Sequence, residues 1–165
     1  MRNVTLKTKV PEVVYDQTRT LAHYPGGTHT GNTALTALAT VRIPANLLNG
    51  GDLLRITALY EFTKNANLKA IKITLGDQTF FHPADKNQAG IASLKASIEI
   101  FILGRNSQVA AAATAVGATS GNGCTVGAVN LAVAQNLTFW GKLGKATDEV
   151  SLPVYRVEVV SPGRR

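Results

Sequence analysis

The side chains that could carry out chemistry are few and lie far apart along the chain. The three histidines, His23, His29 and His82, include no His-X-His pair followed by a glutamate, the pattern of a metal site in an all-β enzyme. Loop positions exposed to solvent are the expectation for them. Asp148 and Glu149 are adjacent, so on a strand they point to opposite faces and cannot flank one bond. We therefore expect no catalytic residue, no metal ligand and no cofactor.

Sequence patterns of activated nucleophiles are also missing. No Gly-X-Ser-X-Gly sequence occurs, and the single cysteine, Cys124, has no histidine near it in the sequence, although proximity to His82 in space stays open. The glycine-rich run 117–127 is not followed by Lys-Ser or Lys-Thr, which a phosphate-binding loop requires. These observations favour a non-enzymatic protein.

The charge of the chain restricts its partners. Seventeen Lys and Arg against ten Asp and Glu give a net charge of +7, but the basic residues are spread singly, with few aromatic residues between them. This distribution argues against a nucleic-acid partner and favours a solvated or protein-facing basic surface. No apolar run reaches the roughly 18 residues of a membrane span, and no apolar signal-peptide core follows Met1, so we expect no membrane partner.

The segment from Val41 to Gly76 contains the clearest structural pattern. Two runs with alternating apolar and polar residues, Leu53 to Phe62 and Lys69 to Leu75, flank the polar turn 63–67. Alternation with a period of two is typical of strands with one face in a core and one in water. We predict that the two runs pair as an antiparallel hairpin.

Further runs predict an all-β chain. They share alternation or strand-forming composition between turn signals, and they cover 33–43, 79–82, 91–103, 109–116, 125–133, 136–143 and 150–160. The alanine-rich run 109–116 could also be a helix from propensity alone. We predict a jelly-roll-like antiparallel β-sandwich of about eight strands over residues 34–160, followed by a basic C-terminal tail, 161–165.

Residues 1–33 differ from the rest of the chain. They are rich in Thr, Lys and Gly and contain only one short apolar patch, Val10 to Tyr15, too little to order them alone. We predict an extended N-terminal arm that lies along its own domain, a neighbouring subunit or a larger assembly. The candidate contact residues of this arm are Arg2, Lys7, Lys9, Val13, Val14, Tyr15 and Arg19.

The run from Ile98 to Leu103 is apolar on both faces apart from Glu99. A strand that is apolar on both sides must be covered on both, by a second layer or a second subunit. We therefore expect partner contacts at Ile98, Ile100, Phe101 and Ile102, and a homodimer or homotrimer.

Several segments together are similar to a known family. Their order along the chain resembles that of bacteriophage virion structural proteins with a jelly-roll domain. The segments are Val13 to Asp16, Thr33 to Ile43, Ile43 to Leu47, Gly51 to Ile56, Asn65 to Lys69, Leu75 to Asp77 and Asp148 to Val159. This resemblance implies a virion component that is made in the host cytoplasm. It also implies contact with the major capsid protein or another virion protein.

Two roles fit this resemblance. The first is a capsid decoration or cement protein that binds across the shell and stabilises it; the absence of coiled-coil heptads and a basic arm suited to an acidic capsid lattice favour this role. The alternative is a tail or head-fibre module that binds a host receptor or glycan. Such a module needs an exposed aromatic platform, and Trp140 is the one candidate.

Overall fold

The structure is a computed structural model that describes residues 17–82, 92–112 and 124–162. In these ranges the chain forms eleven strands, and no helix is present that could cross a membrane. The strands are β1 (Gln17–Tyr24), β2 (Thr28–Thr30), β3 (Thr36–Ile43), β4 (Leu53–Phe62), β5 (Lys69–Leu75), β6 (Gln78–Phe81), β7 (Ser93–Gly104), β8 (Ser107–Ala112), β9 (Thr125–Gly127), β10 (Gln135–Leu143) and β11 (Glu149–Ser161).

The strands form two antiparallel sheets. The large sheet has the order β1-β11-β4-β7-β8-β9, with β2 also paired to β11, and the small sheet has the order β3-β10-β5-β6. The prediction of an all-β antiparallel sandwich is confirmed. The alanine-rich run is strand, not helix, through Ala112, and its remainder, 113–116, lies outside the described residues.

The predicted hairpin between the runs at 53–62 and 69–75 is wrong. β4 lies between β11 and β7 in the large sheet, whereas β5 lies between β10 and β6 in the small sheet. The alternating pattern identified both strands and their buried faces, but it does not determine which strand pairs with which. The connection between them crosses from one sheet to the other, so the apolar faces of both strands line the same core.

This crossover is held by a buried polar cluster. The carboxylate of Asp148 accepts hydrogen bonds from the side-chain amides of Asn65 and Asn67, both at 2.8 Å. The ammonium of Lys69 donates to the backbone oxygen of Asn65 at 3.0 Å, to its side-chain oxygen at 2.9 Å and to the backbone oxygen of Asn67 at 3.2 Å. Because Asp148 and Lys69 are both buried, these contacts satisfy groups that would otherwise be costly to desolvate.

The core lies between the sheets and is filled from both. The rings of Phe139, from β10, and Tyr155, from β11, have centroids 4.8 Å apart and so connect the two layers. Tyr60 is fully buried beside Phe62, and its hydroxyl has no hydrogen-bond partner among the described residues. Burial raises the pKa of Tyr60 far above its ordinary value.

The sandwich begins earlier than the predicted boundary at residue 33. β1 pairs with β11 from Gln17 opposite Ser161 to Tyr24 opposite Tyr155, and Ala22 contributes to the core. β2 pairs with the start of β11. Residues 17–30 are therefore part of the large sheet. The rest of the predicted arm, residues 1–16, lies outside the described residues.

Candidate functional site

Among the residues that the structure describes, the titratable side chains do not converge on a metal-binding arrangement. In residues 17–82, 92–112 and 124–162, no group of three or more His, Cys, Asp or Glu could hold a metal ion. His82 lies with Nδ1 3.1 Å from the backbone oxygen of Ile71, and Cys124 is exposed. The expectation of an exposed loop position for His29 is wrong: it lies buried on β2, with Nε2 3.4 Å from the hydroxyl of Thr36.

The predicted partner residues on β7 divide between two faces of the large sheet. Ile98, Ile100 and Ile102 are buried in the core, because they lie on the side of the strand that faces the small sheet. They cannot contact a partner, and this corrects their assignment. Phe101 points outward with 43% of its surface exposed, and Leu103 with 64%.

Phe101 belongs to a row of apolar side chains across the outer face of the large sheet. The strand register aligns Val160, Leu53, Phe101, Val109 and Val126 on consecutive strands. We call these five residues, together with Leu103, the apolar strip. Val126, at the edge of the sheet, is 71% exposed. With strands about 4.8 Å apart, the strip extends for about 19 Å.

Paired charges border the apolar strip. In the next row of the same face, Nε of Arg55 lies 3.0 Å from Oε1 of Glu99. Nη2 of Arg156 lies 2.7 Å from Oε1 of Glu158, which is opposite Arg55 in the register. An apolar centre with a polar border is the usual composition of a protein–protein contact surface.

The N-terminal end of the described chain lies at the same end of the sheet. Thr18 is opposite Val160, so the first described residues of β1 lie beside the apolar strip. Of the predicted contact residues in the arm, Arg19 is exposed on β1, opposite Val159. The others, Arg2, Lys7, Lys9, Val13, Val14 and Tyr15, lie outside the described residues.

The outer face of the small sheet has a different composition. Thr40, Thr138, Thr74 and Thr79 are aligned on its four strands, β3, β10, β5 and β6. Trp140, two residues after Thr138 on the same face, donates its indole N–H to the hydroxyl of Thr74 at 3.1 Å. Thr74 and Thr138 are only 5% and 7% exposed, as expected if the indole lies across them.

A β-bulge in β3 lies next to Trp140 on the outer face of the small sheet. Phe139 is opposite Ala39, but the next residue, Trp140, is opposite Ala37, so β3 contributes one extra residue, Leu38. Leu38 is buried in the core, and the small side chain of Ala37 remains beside the indole. Bulges of this kind redirect side chains at specific positions of a sheet.

Two shallow depressions lie on the outer face of the small sheet. The first, of about 520 Å³, is lined by Trp140 and by polar side chains that include Arg42, Asp77, Gln135 and Asn136. The second, of about 610 Å³, is lined by Lys72, Lys142 and His82 among others. We call Trp140, the four aligned threonines and these two depressions the Trp140 face.

The sequence identified Trp140 but not its surroundings. The threonines occupy outward positions of four separate strands, and only the register between distant segments aligns them. The apolar strip was found in part, through Phe101. Val109 and Val126 join Phe101 only because β8 and β9 follow β7 in the sheet.

Comparisons with known proteins add the following findings. No family model and no curated protein match the chain. One similar solved structure is the CBM2 module of the evolved Dit of Lactobacillus casei BL23 phage J-1, with a TM-score of 0.47 and 11% identity over 92% of this chain and 100% of that chain. Another is the infectious bursal disease virus Gx strain, with a TM-score of 0.40 and 10% identity over 100% of this chain and 37% of that chain. Both structures are viral, and similarity of this extent assigns no function.

Proposed function

We propose that this protein is a non-enzymatic structural protein of a virus particle, a decoration or cement protein that binds across the capsid shell as a symmetric oligomer and stabilises it. The apolar strip carries this proposal. It is an apolar row in which Phe101, Leu103 and Val126 are exposed, it is bordered by paired charges, and exposed apolar patches with polar rims mark interaction sites in proteins. In this role the protein is made in the host cytoplasm and resides in the virion.

The occupant of the strip is a second copy of this chain. Two copies with a net charge of +7 repel each other over most of their surface. Next to the strip, however, two arginines and two glutamates form ion pairs, so the local charge is balanced. A patch that is apolar and neutral can pack against itself about a two-fold axis without bringing like charges together.

Contact with the shell is assigned to the N-terminal segment and the basic surface. Residues 1–16 carry three of the predicted contact cations, Arg2, Lys7 and Lys9, and they precede Gln17, where β1 begins beside the strip. An oligomer joined at the strip would therefore bring several such segments together. Several weak attachments to an acidic lattice of the major capsid protein, or of another virion protein, add up through avidity.

Light scattering tests the self-association. We expect a dimer or trimer for the natural chain and a monomer for Phe101→Lys, because a buried lysine cannot be accommodated in an apolar contact. Ser97→Lys is the matched control, since it adds the same charge on the same strand and face, outside the strip. A natural chain that is monomeric at high concentration would contradict the proposed oligomer.

Co-sedimentation with capsids of the virus that encodes the chain tests the shell contact. Deletion of residues 1–16 leaves every described strand intact, so we expect unchanged thermal unfolding but reduced binding to capsids. Full binding by the truncated protein would show that the N-terminal segment is not the attachment. The alternative function, a tail or head-fibre module for a receptor or glycan, would use the Trp140 face instead.

A further inference from the structure

Trp140 is a large aromatic residue on the outer face of the small sheet, and it is not part of the hydrophobic core. It is half-buried on the outside of the small sheet, on β10, which lies between β3 and β5. Its N–H is already bound to Thr74, which fixes the ring relative to the sheet. A ring held in place before binding loses little conformational entropy when a ligand stacks on it.

Two lysines next to this ring form no ion pair with the residues that the structure describes. Lys72 is directly opposite Trp140 in the register, and Lys142 follows two residues later on the same face. Neither has a hydrogen bond or ion pair with any residue that the structure describes. Diagonal neighbours on a sheet face are roughly 7–8 Å apart, so these two like charges repel each other and would both be stabilised by one anion.

The other side of the ring offers hydrogen bonds of both kinds. Arg42 can donate hydrogen bonds, Asp77 can accept them, and the side-chain amides of Gln135 and Asn136 can do both. Gly76 and Ala134 line the same depression. Hydroxyl groups, which both donate and accept, match such a surface, and a depression of about 520 Å³ has the size of small-molecule sites.

We infer that the Trp140 face binds an acidic oligosaccharide, with a sugar ring stacked on Trp140, its hydroxyl groups hydrogen-bonded on the Arg42 side, and its anionic group bound by Lys72 and Lys142. This site is on the opposite sheet from the apolar strip and is independent of the proposed self-association. A single-stranded nucleic acid also combines stacking with negative charge, but it needs several aromatic residues along a basic groove. In the described ranges the small sheet presents one.

The chain contains a single tryptophan, so its fluorescence reports binding at this site alone. The probes are a tetragalacturonate and a heparin tetrasaccharide as carboxylate and sulfate ligands, maltotetraose as the neutral ligand of equal length, and a short oligothymidylate. We expect saturable fluorescence changes with one or both acidic sugars, much weaker changes with maltotetraose, and affinity that falls as salt increases.

Substitutions assign the roles. Lys72→Gln and Lys142→Gln should each weaken binding of the acidic sugar about tenfold, because each removes a charge-assisted contact. Lys145→Gln is the control, since it removes the same charge from an exposed loop residue just beyond β10. Trp140→Ala, followed by calorimetry, should abolish binding, while circular dichroism checks that the variant is folded.

Three results would overturn the inference. Equal affinity for maltotetraose and the acidic sugars would show that Lys72 and Lys142 do not bind an anionic group of the ligand. Tighter binding of oligothymidylate than of either acidic sugar would identify a nucleic-acid site. No response to any probe up to millimolar concentration would show that the Trp140 face is not a carbohydrate site.

Discussion

The two outer faces of this sandwich are built from the same alternating strands but present different chemistry. The large sheet exposes the apolar strip beside ion pairs between arginines and glutamates, so its charges are already neutralised within the chain. The small sheet presents a tryptophan, aligned threonines and two lysines, Lys72 and Lys142, that have no ion pair within the described ranges. An apolar, neutral surface suits a folded protein partner, whereas fixed polar groups and free cations suit a small polar ligand.

The difference between the two sheets lies in their outward positions. The inward positions of both sheets are filled by similar aliphatic and aromatic residues, and they form one core. The outward positions do not contribute to that core, so they can differ between the sheets without loss of stability. Substitutions at the two kinds of position should therefore have separable effects.

The largest effect is expected where a predicted contact residue belongs to the core. Ile100→Ala should lower the free energy of unfolding by about 2–5 kcal/mol, because the residue is fully buried and leaves a cavity. Phe101→Ala, the next residue on the outer face, should cost about 1 kcal/mol or less. Urea denaturation of both variants measures this contrast, and equal losses would mean that β7 does not separate core from surface as described.

A smaller loss is expected at the crossover between the sheets. Asp148→Ala leaves the side-chain amides of Asn65 and Asn67 without their acceptor, which should cost about 1–3 kcal/mol. Asp77→Ala, at an exposed turn of the small sheet, is the control and should change stability by less than about 0.5 kcal/mol. Similar values for the two variants would show that the polar cluster does not hold the crossover.

Tyr60→Phe should stabilise the protein by about 1 kcal/mol. The substitution removes a hydroxyl that is fully buried without a partner among the described residues, and burying such a group is unfavourable. A loss of stability in urea denaturation would show that the hydroxyl does have a favourable partner.

The same tyrosine should make stability depend on alkaline pH. Burial raises the pKa of Tyr60 in the folded state, so above pH 10 the unfolded chain releases this proton and the folded chain retains it. The contribution is complete below pH 10 and falls by about 1.4 kcal/mol per pH unit above it. The difference between the natural chain and Tyr60→Phe isolates this contribution from that of Tyr155, whose pKa is also raised, by burial and by nearby Tyr24.

The smallest effect on stability is expected from the charges beside the apolar strip. Arg55 and Glu99 are both more than one third exposed, so their ion pair should contribute less than about 1 kcal/mol to folding. A double-mutant cycle with Arg55→Met and Glu99→Gln measures this coupling. A much larger coupling would mean that the pair supports the sheet itself, not the border of a contact surface.

The sequence predicted the fold class because alternation is a local property. The periodicity of β4, β5 and β7 was sufficient to identify each strand and its buried face. Strand pairing depends on contacts between distant segments, and for that reason the predicted hairpin was wrong and β1 was taken for part of an arm. β1 is an edge strand that pairs only with β11, and its sequence has a weak alternating pattern.

The candidate sites were predictable to a similar extent. Phe101 and Trp140 could be named from composition and position, since large aromatic residues in strands must be either in the core or at a contact. The division of β7 into inner isoleucines and outer Phe101 and Leu103 needed the position of the second sheet. The pairing of Lys72 with Trp140 needed the register between β5 and β10, which are more than 60 residues apart in the chain.

The central claim, that the two outer faces have separate partners, is tested most directly by the molar mass of two surface variants in light scattering. We predict that Phe101→Lys is monomeric, whereas Lys142→Gln has the same oligomeric mass as the natural chain. If Phe101→Lys keeps the oligomeric mass, or if Lys142→Gln loses it, the apolar strip is not the surface through which the protein self-associates.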